Sequence, residues 1–451
     1  MKKSLELLQP YKDLTAEFYE QAEPAIFPFY KIRFKNNNFT EFSSLSENSW
    51  IDLFGKFKSN LLPKNHNLAL KYHGHQFQTY NPELGDGRGF TIAQFYHKKK
   101  LLDLGTKGSG RTKFSRSGDG RLTLKGAIRE VLCSEYLHAL GVNTSRSISL
   151  IETGEKLYRN DEPSPTRSAV LVRASHSHIR IGSFQYQAYH HKTENLEKLI
   201  DYVCKNYFNI IDKSEIHLKF FNEVVERLSM LAASYTVTGF VHGVLNTDNM
   251  NITGESFDYG PYRMLEHYDF EKIAAYFDHS GLYKYGNQAN AIFWNIQQLA
   301  SIMKIFISKE QLVDTLKRYV DLYNKYLQKM TFKRLNIVMK SNIQNLELLN
   351  LFYELQATKK FHYEEIFFDF KNFQLNYDLV CKKYTSYPFL GAFKKFEQIN
   401  QSDDIKKKFV SLFYDDIEKI WQAINEYDDW SLFDNKLKSI NNIIGTKNGL
   451  G

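Results

Sequence analysis

Apolar positions divide the chain into a strand-patterned first part and a helix-patterned second part. Strand-like runs cover 90–95 and 100–107, and two more follow at 147–153 and 169–173. Between them Leu124, Ile128, Val131, Leu132 and Leu137 recur at helical spacing, which predicts a helix over 124–140 stopped by Gly141. From Glu194 onward the period is helical. A long amphipathic helix is expected over 216–236, a loop over 262–286, another helix over 292–307, and almost continuous helix over 309–440. Residues 1–62 are mixed and prolyl, with one short helix expected near 50–58. The segment 68–80 reads as a strand that would put His73 and His75 on one face.

Composition narrows the class. The chain has 451 residues, 43% of them apolar, enough for two or three domains of a globular protein. Its formal charge of +8 comes from 59 basic against 51 acidic residues, and the signs are interspersed. That describes a solvated lysine-rich surface rather than a nucleic-acid groove, so no nucleic-acid partner is expected. Cys133, Cys204 and Cys381 are widely spaced, which suggests neither a zinc ribbon nor a disulfide framework. The N-terminal lysines precede no apolar core of a signal, and no run is long enough to span a membrane. The cytoplasm is the expected location.

The chemistry concentrates in His242-Gly243-Val244-Leu245-Asn246-Thr247-Asp248-Asn249, followed by Asp258-Tyr259-Gly260. Protein kinases carry H-R-D-L-x-x-x-N and then D-F-G, whose Asn and second Asp hold magnesium. Aligned on that pattern, Asn249 and Asp258 take the metal positions, while Val244 stands where the catalytic Asp belongs. Valine accepts no proton, and Asp248 is the nearby replacement carboxylate. Upstream, Gly85, Gly87 and Gly89 form a flexible loop that suits a phosphate cradle or a plain hairpin equally well. Lys107 ends a strand after that loop, and both Glu130 and Glu135 on the following helix are candidate partners for it. Arg173 and Arg180 flank a polar link and offer forked donors for phosphate, or else two surface salt bridges. His73 and His75 alone are too few for zinc.

These stretches together resemble the selenoprotein O family of protein adenylyltransferases. The matching residues are Tyr72 to Phe77, Leu84 to Gly89, Lys107 to Gly110, Ser117 to Arg121, Ile128 to Glu130, Arg173, Ser175, His176 and Arg180. They continue with His242, Gly243, Asn246 to Met250, Asp258 to Pro261, Trp294 and Asn295. The resemblance implies an α+β fold: a bilobal protein-kinase-like arrangement with a mostly β N-lobe, a helical C-lobe and a helical C-terminal extension. The expected divisions are an N-terminal extension at 1–62, an N-lobe with the nucleotide loop at 63–185, a C-lobe with catalytic and metal loops at 186–308, and a helical region at 309–451. It further implies transfer of AMP from ATP to Ser, Thr or Tyr hydroxyls of proteins, with UMP from UTP as an additional donor reaction. By the same carry-over, Gly85, Gly87, Arg88, Lys107, Asp119, Gly120, Arg173, Arg180 and Asp258 contact nucleotide, Glu130 supports Lys107, Asn249 and Asp258 hold Mg2+ or Mn2+, and Asp248 is the proton acceptor. Many members carry a Cys or selenocysteine near a longer C-terminus. The stretch 443–451 has no Cys. Some bacterial members also place a Cys after the D-Y-G motif, whereas here none lies between Cys204 and Cys381, so redox control by a disulfide from that segment is not expected. A kinase-like phosphotransferase and a non-catalytic ATP-binding scaffold are the alternatives, opposed by Val244 and by the paired metal positions respectively.

Overall fold

The computed structural model describes residues 5–160, 162–399 and 409–445. The first N-terminal lysines and the end of the Cys-free stretch at 446–451 lie outside the described residues. The chain is sheet-rich first and helical afterwards. Its N-terminal extension supplies two edge strands, β1 (Tyr19–Gln21) and β2 (Lys31–Lys35), and a helix, α1 (Glu47–Phe54). That helix begins before the expected 50–58 because the Ser46 hydroxyl accepts from the Ser49 amide and caps it. After β3 (Leu68–Leu70) comes a small hairpin, β4 (Gly74–Gln76) and β5 (Thr79–Asn81). His73 falls between β3 and β4, so the expected shared strand face with His75 does not form. Then follow β6 (Thr91–His97), β7 (Lys100–Lys107), β8 (Leu122–Thr123), α2 (Leu124–Ala139), β9 (Arg146–Leu157) and β10 (Thr166–Ser175).

The antiparallel sheet runs β1-β3-β6-β7-β10-β9-β2, with β8 beside β10. Both faces are covered, which explains why β7 and β10 are buried nearly end to end. Val170, Val172 and Ala174 pack with Phe42, Trp50 and Phe54 of the extension. Ala169 and Leu171 point the other way, into the core shared with Leu124, Ile128 and Val131 of α2. Lys107 sits opposite Leu171 and Gly105 opposite Arg173 in the ladder. Residues directly opposite in such a ladder share a face. Lys107 and Arg173 therefore look out on the α2 side, one step apart.

A helix not foreseen, α3 (Ile181–Tyr189), starts directly after Arg180, and α4 (Thr193–Val203) follows it. The long α5 (Ile216–Thr238) ends at Gly239, whose positive φ of 64° closes the helix. It delivers the chain to β11 (Phe240–Val241), which pairs with β12 (Arg263–Met264). That two-strand ladder brackets both the 242–250 loop and Asp258. Helices α6 (Gln288–Met303), α7 (Lys309–Leu335), α8 (Asn342–Ala357), α9 (Tyr363–Lys371), α10 (Tyr377–Tyr384), α11 (Pro388–Phe393), α12 (Tyr414–Tyr427) and α13 (Ser431–Gly445) complete the helical part. Among the described residues no helix is long and apolar enough to cross a membrane.

The closing segment reaches back. Asp428, after α12, accepts from Arg33 at 2.7 Å and from Arg167 at 2.8 Å, both on the sheet. Lys125 of α2 pairs with Glu418 at 2.8 Å, and the Tyr136 hydroxyl donates to the Val410 carbonyl at 2.9 Å. Phe409 and Phe413 meanwhile lie against His362 at the start of α9.

Candidate active site

Three cations converge on one carboxylate. Arg173 Nη1 lies 2.6 Å from Asp258 Oδ1, and Lys107 Nζ lies 3.3 Å from the same oxygen. Arg180 Nη1 approaches Asp258 Oδ2 at 3.5 Å. Burial alone would raise the Asp258 pKa, but Arg173, Lys107 and Arg180 outweigh it and hold the carboxyl well below its usual range. Its backbone is left-handed, φ 62°, which a non-glycine residue adopts at some cost and which Asp tolerates better than most.

Lys107 also ion-pairs with Glu130 of α2, so the structure selects Glu130 over Glu135. Five residues turn a helix through about 140°, so the two glutamates leave on different faces. Glu135 is instead engaged by Arg146, at 2.9 Å from Nε, and by Asn36 at 3.2 Å.

Arg180 joins three segments. Its guanidinium donates to Asp86 Oδ1 of the glycine loop and to the Asp248 carbonyl, both at 3.0 Å, besides facing Asp258. The rings of Tyr72 and Phe257 lie 4.3 and 4.9 Å from it. The Nε atoms of Arg173 and Arg180 are buried without a hydrogen-bond partner. Asp86 completes its own anchorage by accepting the Leu70 amide at 3.0 Å.

The 242–250 loop is fixed from several sides. His242 is buried, its Nε2 bonded to the Phe257 carbonyl at 2.9 Å and its amide donating to Gln288. Asn246 Oδ1 accepts from the Phe77 amide and from the Tyr283 hydroxyl. Thr247 Oγ1 accepts from the His75 amide and donates to Gln185. The Asn249 amide nitrogen donates to the Val244 carbonyl at 3.0 Å, which leaves its oxygen for another partner. Asp248 is buried, and its Oδ1 has no hydrogen-bond partner. A Cβ on Gly74 would stand 2.9 Å from that oxygen, so only glycine lets the β4–β5 hairpin come so close. Burial pushes the Asp248 carboxyl up to about 6, against the pull of Arg180. With one oxygen unpartnered, this carboxylate is a group that can accept a proton; Val244 has none.

The remaining sequence-derived residues are more scattered. A Cβ on Gly85 would strike the Phe114 ring, and one on Gly87 would stand 2.9 Å from the Phe114 carbonyl oxygen. The glycine loop therefore packs on the 108–120 segment, whose Gly120 has φ 70° and backs onto Gly110. The Arg88 carbonyl accepts the Gly108 amide at 2.7 Å, while its side chain reaches solvent without a hydrogen bond and its charge acts on Asp258 and against Lys107 and Arg173. The Asp119 carboxylate pairs with Arg159 at 2.9 Å and accepts the Arg121 amide. His73 and His75 are bonded to Tyr80 and Gln185. Asp86, Tyr72 and Phe257 had no assigned role in the sequence, although Tyr72 and Asp86 lie inside the quoted motifs. Among the described residues no group of three or more His, Cys, Asp or Glu could hold a metal, but the donor chemistry of Asn249 and Asp258, two hard oxygens, fits Mg2+ or Mn2+ completed by phosphate oxygens and water.

Comparison with known proteins places the chain beside named relatives. The model of the family described as protein adenylyltransferase SelO matches residues 3–383. A Synechocystis sp. protein named protein nucleotidyltransferase YdiU is 38% identical over 95% of this chain and 96% of its own length. Proteins of the same name from Gloeobacter violaceus and Vibrio cholerae are 48% and 39% identical over 64% and 60% of this chain, and 60% and 55% of their own lengths.

Proposed function

This chain belongs to the protein adenylyltransferase SelO family and is a protein nucleotidyltransferase, and we propose that it moves AMP from ATP to protein Ser, Thr or Tyr hydroxyls at the Asp258 cluster. The observation that carries the proposal is the convergence of Lys107, Arg173 and Arg180 on Asp258, beside the unpartnered oxygen of Asp248. In this reading the sheet-rich and helical parts are the two lobes of a kinase-like fold, divided near residue 185, with 1–62 and 309–451 as its extensions.

The roles follow from chemistry. Lys107, kept in place by Glu130, and the two arginines neutralise phosphate oxygens of the bound ATP. Arg88, whose charge already acts on Asp258, adds a further cation for the same phosphates. Asn249 and Asp258 hold a divalent ion, which when bound supplies charge neutralisation at the phosphates. Asp248 accepts the proton of the acceptor hydroxyl as its oxygen bonds to the α-phosphorus and the bond to the pyrophosphate oxygen breaks. Pyrophosphate leaves. Val244 supplies no base for attack on the γ-phosphate, which disfavours a kinase.

Two labels test this. With the metal present, α-labelled ATP marks acceptor protein and γ-labelled ATP does not; α-labelled UTP extends the test to UMP. Label arriving only from the γ position would replace the proposal with a phosphotransferase, and label from neither with a scaffold.

A further inference from the structure

Resting on the AMP-transfer reading above, we propose that the segment 268–286 presents the docking surface for the acceptor protein. It forms an aromatic shelf next to Asp248 that receives an extended stretch of substrate carrying an apolar side chain beside its acceptor hydroxyl.

Four large apolar side chains within eight residues are exposed here: Phe270, Ile273, Tyr276 and Phe277, with Tyr276 78% accessible. Clustered exposure of this kind marks a contact surface more often than scattered single residues do. Four charges of the same segment are engaged. Glu271 pairs with Lys284 at 2.7 Å, Asp269 faces Lys359 at 3.8 Å, and buried Asp278 accepts the amides of Leu282 and Tyr283. Outward stand the four apolar side chains, with Lys272, His279 and Ser280 among them. Backbone hydrogen bonds hold it in shape, from the Gly286 amide to the Phe270 carbonyl and from the Tyr285 amide to the Lys272 carbonyl. A preformed surface loses little ordering entropy on binding.

Its position supplies the occupant. Phe277 contacts Phe77 of the β4–β5 hairpin, with ring centroids 5.8 Å apart, and Phe77 contacts Tyr283 at 5.0 Å. The Phe77 amide and the Tyr283 hydroxyl meet on Asn246, two residues before Asp248. The shelf is thus continuous with the loop that offers the proton acceptor. A protein nucleotidyltransferase has to bring a polypeptide to that carboxylate, and this apolar face adjoins it. Recognition through such a face is expected to respond little to salt.

The experiment uses the full-length protein, α-labelled ATP and a positional-scanning peptide library with a fixed Thr or Tyr acceptor. The parent should label peptides with Phe, Leu or Ile at one flanking position ~10-fold better than those with Gly there, the usual worth of a filled apolar contact. The double variant Ile273→Ser/Tyr276→Ser should bring that ratio below ~2-fold while mant-ATP binding and labelling of the Gly peptide stay unchanged. A parent indifferent to the flank, or a variant that keeps the preference, overturns the docking surface while leaving AMP transfer standing. A parent that moves α-label to no acceptor at all overturns the transfer reading, and this inference with it. Concentration-dependent dimers in sedimentation that the double variant abolishes would assign the shelf to a second copy instead.

Discussion

Replacing Glu130 by Ala separates a site-forming glutamate from an architectural one. The Lys107 and Glu130 side chains are each only 5% accessible, so this ion pair is shielded from solvent. Deleting the carboxylate leaves Lys107, Arg173 and Arg180 facing Asp258 and, through Arg180, Asp86: three cations against two anions in a buried space. Removing one partner of a buried pair costs roughly 3–5 kcal/mol. Asp258 already shares Lys107 at 3.3 Å, which places the cost at the lower end. If a loss of ~3 kcal/mol falls on phosphate positioning, transfer slows about a hundredfold. Glu135→Ala is the matched control. It strands Arg146 in a comparably buried pair, so it lowers stability by a similar amount. It leaves Lys107 untouched. The assay is α-label transfer per folded molecule, measured well below the urea midpoint of each variant, with Lys107→Ala and the double variant completing a cycle. Glu130→Ala should lose transfer, Glu135→Ala should not, and the Lys107/Glu130 double should be no worse than Lys107→Ala alone. Parental turnover in Glu130→Ala, equal loss in Glu135→Ala, or additive losses would refute the reasoning.

Asp258→Ala should abolish transfer with the fold intact by circular dichroism, and excess chelator should do the same to the parent; full activity in either case would remove the metal from the proposal. Asp248→Ala should cut α-label transfer by roughly a hundred- to ten-thousand-fold while ATP affinity stays within a few-fold. Adding Val244→Asp should not restore it, and rescue would place the reacting phosphate elsewhere. His73 is buried against Tyr80, and burial lowers its pKa to about 4, with His190 adding to the shift. Because the unfolded chain takes up this proton first, stability is unaffected above pH ~6.5 and falls as pH drops towards 4. In urea titrations the parent should lose stability relative to His73→Gln as pH falls through that range, and parallel curves would contradict the assignment.

Much of the framework was legible because each element carries its own period. The strand ending at Lys107 and the helix carrying Glu130 both occur as the apolar pattern indicates. What escaped depended on partners far away in the chain. Helix α3 was hidden because Gln185 and Gln187 are buried polar residues that bond to His75 and Asn195, which erases the apolar stripe. Asp86 sits in a glycine-rich turn and reads as a turn residue; its bond to Arg180 spans 94 positions. Asp119 is a similar case: its carboxylate pairs with Arg159 on the connection between β9 and β10, a partner that no local pattern announces. The choice between Glu130 and Glu135 likewise needed the positions of Arg146 and Asn36, fixed by the folded sheet.

The closing segment also bears on how far the two parts of the molecule can swing. Its carboxylate at Asp428 is bound to the sheet, Glu418 to α2, and Phe409 and Phe413 to the helical part at His362. A chain fastened at both ends in this way limits rigid-body hinge opening, since wide separation would first have to strip those contacts. The traffic of ATP in and pyrophosphate out is then a matter of side chains and loops yielding at the mouth, not of jaws parting. Spin-label distances between the sheet and α7 should accordingly change little when nucleotide binds, and should broaden when Asp428 is replaced by Ala.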